Sequence, residues 1–240
     1  MLEDLPVYFD QQVSIRGISL HIAERSTFIV ASATPLKVIG SPVLGGDLRL
    51  AGHIINHSVD KGYNGSDPEG DLRQVALRLG LGDNVLGLMT AVSVSHTVLK
   101  QERQNNITVA ALCTAGTGNP GAAGMPTGQE QGGYRPGTIN IILLIDGNLT
   151  GAAMVNAVMT ATEAKARALF KAEIRLADGE PATGTTSDAI VVACTGRGKS
   201  LRYAGTATHL GYLIGKTVYQ SVSLGVEKYL LWCGSGDVMR

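Results

Sequence analysis

The sequence has few charged residues and no net charge. Only 17% of its 240 residues are charged, and 20 Lys and Arg balance 20 Asp and Glu. A balanced surface lacks the broad positive field that draws proteins to nucleic acids and anionic membranes. The composition therefore argues against nucleic acid and membrane lipid as partners.

Cysteine is also scarce, and no apolar run approaches the roughly 20 residues of a membrane span. The three cysteines, Cys113, Cys194 and Cys233, show no CxxC spacing, which predicts reduced thiols rather than a disulfide framework or a zinc site. The acidic start, residues 1–4, lacks the basic region of a signal peptide. We expect a cytoplasmic protein with no bound metal and no resident cofactor.

Hydrophobic residues, in contrast, are plentiful at 44%, and glycine occurs 31 times. The patterns predict an α/β or α+β fold, with a mixed β-sheet core and packed helices in a single compact domain over residues 1–240. Predicted strands are 13–18, 27–31, 85–94, 107–113, 138–145 and 189–194. Predicted helices begin near Asp67, run over about 149–171, and run over about 208–230.

Two glycine motifs look like nucleotide-binding loops but lack the helix that such loops need. Residues 116–121 fit GxGxxG, yet the following residues, 122–128, cannot sustain a helix at the pyrophosphate. Residues 193–200 resemble a P-loop with alanine in place of the first glycine, again without a helical continuation. We therefore expect a hairpin tip there, with solvated Arg197 and Lys199.

His53 and His57 stand four residues apart, a spacing that places two imidazoles on one face of a helix. Zinc proteases of this pattern carry a glutamate between the histidines, which is absent here, and no third ligand is indicated. The pair predicts incidental histidines rather than a metal site.

Asp188 is the strongest candidate for catalysis. It precedes a predicted buried strand and follows a glycine and four hydroxyl residues, so hydroxyl and amide donors should surround its carboxylate. A capping acid in a turn is the alternative. Glu163 is a second candidate, although its i, i+4 spacing to Arg167 also fits a solvated ion pair. His209, in the first turn of the last helix, would be held neutral by the helix dipole and could act as a base.

Five ordered blocks resemble the adenosylcobinamide amidohydrolase family. They are TAGTGN at 114–119, GTIN at 137–140, TATEAK at 160–165, ATGTTSD at 182–188 and YAGTATHLG at 203–211. Looser agreement extends upstream through residues 55–59, Tyr63 and residues 87–91, so the likeness covers about residues 25 to 225.

The resemblance implies an enzyme of corrinoid salvage. Such enzymes hydrolyse the amide that joins the corrin ring to its aminopropanol arm, giving adenosylcobyric acid and aminopropanol, phosphorylated or free. Corrin carries a rim of carboxamides, so its binding calls for many amide and hydroxyl partners and few charges. The predicted substrate-binding residues are Thr117, Gly118, Asn119, Asn140, Gly184, Thr185, Thr186, Ser187 and Thr206. The glycine-rich residues 116–137 could close over the ring.

Chemistry then suggests roles for these residues. We expect Asp188 or Glu163 to activate water, while backbone amides of residues 184–186 or 116–118 hold the oxyanion. A threonine nucleophile, Thr185 or Thr206, exposed by self-cleavage, is the alternative mechanism. A corrinoid-binding module without catalysis and a nucleotide-binding protein using residues 198–200 are alternative functions. The sequence leaves open whether the chain forms a homo-oligomer.

Overall fold

A computed structural model describes residues 7–60, 62–126 and 137–234. The strands are β1 (Val7–Tyr8), β2 (Ile18–Ala23), β3 (Thr27–Gly40), β4 (Arg49–Ser58), β5 (Val85–Thr90), β6 (Val98–Gln104), β7 (Ile107–Ala115), β8 (Pro120–Gly121), β9 (Ile139–Asp146), β10 (Asn148–Leu149), β11 (Gly184–Thr185), β12 (Ala189–Cys194) and β13 (Ser200–Leu201). The helices are α1 (Pro68–Arg78), α2 (Gly151–Lys171) and α3 (His209–Gly234), with a 3₁₀ turn at Val94–His96.

Most of the strands belong to one mixed sheet of nine, which branches at β3. The order is β1-β2-β3-β12-β9-β7-β6, and β4 also pairs with β3 and carries β5 at its other edge. The 14-residue β3 pairs with β2 along its first half, with β4 in both halves on either side of a register shift, and with β12 over its last four residues. Strands β12 and β9 run parallel, whereas β7 runs antiparallel to both β9 and β6. This mixed sheet with packed helices confirms the predicted fold class.

Strand β9 shows how the inner part of the sheet is covered on both faces. Ile141 and Leu143 pack in the cluster that contains α2 and α3, whereas Ile142 and Leu144 pack against β2 to β5. Because successive side chains of a strand point to opposite faces, the inner layer (β6, β7, β9 and β12) lies between the two helices and an outer layer (β2 to β5). Leu72 of α1 belongs to a third cluster, on the far side of that outer layer.

Local sequence features explain where α2 and α3 begin and how closely they pack. The Thr150 hydroxyl accepts a hydrogen bond from the Ala153 N–H and caps α2. Buried alanines then let α2 approach the sheet closely. In α3 a Cβ on Gly211 would collide with the backbone of Gly205, so glycine is required where the preceding segment crosses the first turn.

Several predicted boundaries shift. The strand predicted at 13–18 is wrong: residues 15–17 form a turn in which Gly17 has φ 81°, and β2 begins only at Ile18. The strand predicted at 85–94 ends at Thr90. Neither nucleotide motif opens a helix, because Pro120–Gly121 forms β8 and Ser200–Leu201 forms β13, which pairs with β10.

The last helix, α3, is the longest at 26 residues. Neither it nor any other helix in the described ranges combines the length and apolarity needed to cross a membrane.

Candidate active site

The predicted site segments meet at one edge of the inner layer. Strands β9 and β12 are parallel and both begin at this edge, and the antiparallel β7 ends there. Residues 116–119 follow β7, and residues 184–188 lead into β12. Pairing of Gly121 with Gly184 through β8 and β11 ties the two segments together.

Asp188 accepts hydrogen bonds from four donors at this edge. Its Oδ1 accepts from the Ile139 N–H at 3.1 Å and from the Thr185 hydroxyl. Its Oδ2 accepts from the Thr185 N–H at 3.0 Å and from Lys165 Nζ. A carboxylate offers about four lone-pair positions, so the protein fixes this side chain completely.

Lys165 reaches Asp188 from α2, and the two form a buried ion pair. Only 8% of the Lys165 side chain and 11% of the Asp188 side chain are exposed. An ammonium carries three donors, and Asp188 is the one acceptor that the hydrogen bonds between described residues give it. A buried ion pair contributes little to stability, because desolvation offsets the attraction between the charges. Its presence among glycines and hydroxyl groups is typical of a functional site.

Gly184 lies directly against this ion pair. A Cβ at this position would stand 2.8 Å from Lys165 Nζ and still closer to the Asp188 carboxylate. Glycine is therefore required here by the close approach of backbone and charge.

The second segment contacts the first through Asn119. The side-chain amide of Asn119 donates to the Thr186 hydroxyl at 2.7 Å, and the backbone carbonyl of Asn119 accepts from the Thr186 N–H at 3.3 Å. The amide oxygen of Asn119 is buried and has no hydrogen-bond partner among the described residues. The N–H groups of Thr117 and Gly118 likewise donate to none of these residues. With respect to the described residues these donors and acceptors are unpaired, so they can bind a ligand at this edge.

A cavity of about 440 Å³ opens at the same edge, on the side that faces the outer layer. Thr138 and Ser187 line it from the inner layer, and Met89 and Thr90 line it from the end of β5. Asp188 points to the other side, toward α2, so the backbone at 138–139 and 187–188 separates the carboxylate from the cavity. A ligand lying across this edge would contact both.

Asn140 supports the cavity rather than lining it. Its side-chain amide donates to Asn56 Oδ1 at 2.8 Å and to the Met89 carbonyl at 2.9 Å, and Asn56 donates in turn to Thr114. Asn140 is only 2% exposed. Asn140 therefore supports the residues around the cavity, and its contact with substrate stays a prediction.

Three residues that were predicted to belong to the site, Glu163, His209 and Thr206, do not lie at this edge. Glu163 lies on the exposed face of α2, roughly opposite Lys165 around the helix, and Arg167 stacks on the ring of Tyr219 instead of pairing with it. Gly225 of α3 marks the part of the helix at the site edge, because a Cβ added there would touch Ala115 at the end of β7. His209 begins α3 and lies about 24 Å from Gly225 along the helix.

Thr206 precedes α3 and is exposed at that same distant end. Of the two threonines proposed as nucleophile, only Thr185 contacts Asp188.

Lys165 is the residue that sequence reasoning missed. It lies within the block TATEAK, but the i, i+4 spacing of Glu163 and Arg167 pointed to Glu163 as the candidate instead. The available signal was the alanine stripe: Lys165 follows Ala161 and Ala164 on the buried face of α2. A lysine on such a face needs an acidic partner.

The two histidines of the HIINH segment lie on a strand, β4, rather than on a helix. Four residues of strand separate them by about 13 Å, and His57 hydrogen-bonds to Thr27 at 2.8 Å. Burial lowers the pKa of His57. Within the described part of the chain no three His, Cys, Asp or Glu side chains are grouped to hold a metal ion.

Cys113 lies behind the site on β7 and is fully buried. Burial raises the pKa of its thiol, and the nearby Asp188 carboxylate raises it further, while Lys165 opposes this. The thiol is therefore neutral and is a poor candidate for a nucleophile.

The chain is similar to several known proteins. The family model described as adenosylcobinamide amidohydrolase matches residues 11–234. An adenosylcobinamide amidohydrolase from Methanosarcina mazei is 29% identical over 216 residues, which cover 86% of this chain and 96% of the relative. One from Halobacterium salinarum is 36% identical over 149 residues, or 60% of each chain. A solved Burkholderia sp. beta-aminopeptidase is similar with a TM-score of 0.47 and 12% identity, over 84% of this chain and 78% of that one.

Proposed function

The chain belongs to the adenosylcobinamide amidohydrolase family, and from this membership we propose that it hydrolyses the amide joining the corrin ring to the aminopropanol arm of adenosylcobinamide. The products are adenosylcobyric acid and aminopropanol, phosphorylated or free. In corrinoid salvage the acid can then be rebuilt into a cobalamin with a different nucleotide loop.

The observation that carries this proposal is the convergence of two glycine- and threonine-rich segments on one buried carboxylate. Residues 116–119 and 184–188 meet at the edge where Asp188 lies, and the cavity opens at the same edge on the other side of the backbone. Hydroxyl groups and backbone amides dominate this edge, which suits the carboxamide rim of a corrin. The corrin is broad, so we place it across the edge, with one side group in the cavity and the scissile amide on the side of Asp188.

Asp188 is the acid–base group in this proposal. It takes the proton of the attacking O–H group and returns a proton to the amine that leaves, as amide hydrolysis requires. Glu163 and His209 are not included, because the fold places one on the exposed face of α2 and the other at the far end of the sheet.

The backbone N–H groups of Thr117 and Gly118 are the proposed oxyanion donors. Thr185 N–H already donates to Asp188 and Thr186 N–H to Asn119, so the alternative segment has few donors left. Donors placed where negative charge develops, in a site that excludes water, stabilise the tetrahedral intermediate most strongly.

The direct test is to incubate the purified chain with adenosylcobinamide and to follow both products by mass spectrometry. We expect adenosylcobyric acid and aminopropanol in equal amounts. A folded wild-type chain that shifts the corrin absorption spectrum but releases no aminopropanol would instead be a corrinoid-binding module, and the hydrolase proposal would fail.

A further inference from the structure

Among the described residues, Thr185 carries the one hydroxyl group that is hydrogen-bonded to the Lys165–Asp188 pair. Its hydroxyl donates to Asp188 Oδ1, while Lys165 binds Oδ2 of the same carboxylate. The neighbouring hydroxyl groups are used elsewhere, because Thr186 accepts from Asn119 and Ser187 donates to the Gly137 carbonyl. Thr185 as a whole is half-buried.

A threonine and an aspartate three residues apart can also form a simple turn, in which both side chains only cap backbone groups. A turn of this kind explains the bond from the Thr185 N–H to Asp188. It does not explain why α2 contributes a buried lysine to the same carboxylate, or why Gly184 must lack a side chain beside it. These features surround the Thr185 hydroxyl with an acceptor and a fixed positive charge.

We propose, resting on the hydrolysis proposed above, that Thr185 is the nucleophile, that Asp188 is its proton acceptor and that Lys165 is a positioning residue acting through Asp188. The enzyme then works through a covalent ester between Thr185 Oγ1 and the corrin carboxyl group. Nucleophilic catalysis divides a difficult hydrolysis into two easier steps.

In the first step the Thr185 hydroxyl gives its proton to Asp188 Oδ1 as Oγ1 attacks the amide carbon, and a C–O bond forms. Asp188 then gives that proton to the nitrogen, the C–N bond breaks, and aminopropanol leaves. In the second step Asp188 takes a proton from water, and the hydroxide adds to the ester carbon. The bond to Oγ1 breaks and Oγ1 recovers the proton from Asp188. Lys165 keeps its ammonium throughout and holds the carboxylate in place.

The nucleophile acts in an intact chain. The peptide that joins Gly184 to Thr185 lies within β11, which pairs with β8, and the Thr185 N–H is committed to Asp188. Self-cleavage would cut this two-residue strand in the middle. Intact-mass measurement of active enzyme is therefore expected to show one chain of 25.0 kDa.

The test compares Thr185→Val with Thr185→Ser and with a matched control, Thr195→Val. Thr195 also donates its hydroxyl to an aspartate, Asp146, but at the opposite edge of the sheet. We expect Thr185→Val to lower kcat by roughly 1000-fold or more. We expect Thr185→Ser, which keeps a hydroxyl, to stay within about tenfold of wild type, and Thr195→Val to stay within about twofold.

A second measurement on the wild-type enzyme does not depend on how a variant folds. Hydroxylamine added during turnover should divert the ester to the corrinoid hydroxamate, while aminopropanol release continues at its normal rate. Wild-type turnover that yields only the free acid at saturating hydroxylamine, or a folded Thr185→Val variant of wild-type activity, would overturn the nucleophile. Neither result would affect the proposed function, which fails only if wild type releases no adenosylcobyric acid.

Discussion

The two ends of the β9–β12 pair carry the same kind of cluster in different surroundings. At one end Asp188 binds the Thr185 hydroxyl and Lys165, and at the other end Asp146 binds the Thr195 hydroxyl and Arg197. The side chains of Lys165 and Asp188 are 8% and 11% exposed, whereas those of Arg197 and Asp146 are 44% and 25% exposed.

The difference lies in what covers each end. Helix α2 contributes Lys165 from its buried face, and the β8–β11 pair lies over the carboxylate of Asp188. Arg197 instead projects from a turn between β12 and β13, with glycine on both sides. Charges in water interact weakly, while buried charges interact strongly and are costly to leave unpaired. A similar combination of aspartate, threonine and cation therefore lies in an exposed turn at one end and in the proposed active site at the other.

Removing the carboxylate should separate the two ends most strongly. We expect Asp188→Asn to lower kcat for adenosylcobinamide by about 1000-fold, because an amide cannot accept the proton. Asp146→Asn is the matched control and should leave kcat within about twofold of wild type. Steady-state kinetics of both variants would check this, and equal activities would remove the functional distinction between the ends.

Removing the cation should show the difference in stability. Lys165→Met leaves the Asp188 charge buried without its partner, and we expect a loss of about 3 kcal/mol in the free energy of unfolding. Arg197→Met, at the exposed end, should cost less than about 1 kcal/mol. Urea denaturation measures both values.

The double variant Lys165→Met with Asp188→Asn sharpens that comparison. It removes both charges, so it should recover much of the stability lost in Lys165→Met alone. A double variant that is destabilised by the sum of the two single effects would show that the ion pair is not energetically coupled.

The smallest expected effect concerns backbone approach. Gly184→Ala places a methyl group 2.8 Å from Lys165 Nζ, and we expect a cost of about 1 to 3 kcal/mol in the free energy of unfolding. Gly52→Ala in β4 is the control, since no atom lies within 4 Å of its added Cβ. Thermal denaturation that ranks Gly52→Ala as equally destabilising would contradict a specific contact at Gly184.

The regular elements were largely predictable from the sequence, because they depend on local patterns. The proline and aspartate at the start of α1 and the apolar run of β12 act within a few residues, and both elements lie where they were predicted. Strand β3 was underestimated, since the pattern stops at Ala31 while the strand continues to Gly40. Its second half pairs with β4 and with β12, and β12 is about 150 residues away in sequence.

The candidate site was predictable only in part for the same reason. Asp188 and Thr185 are close in sequence, so turn chemistry revealed them together. Lys165 is 23 residues from Asp188 and meets it only because α2 packs on β12. Glu163 and His209 had suitable chemistry, but periodicity alone does not fix which face of a helix, or which end of a sheet, a residue will occupy.

A series of buried side-chain hydrogen bonds, from Thr114 through Asn56 to Asn140, crosses the apolar interface between the two sheet layers. Hydrophobic contacts tolerate sliding, but paired amides do not, since a shift of either strand would leave buried donors unsatisfied. These hydrogen bonds thus fix the position of the two layers relative to each other. Because Asn140 also donates to the carbonyl of Met89, which lines the cavity, the same hydrogen bonds attach the end of β5 to the inner layer at the cavity wall.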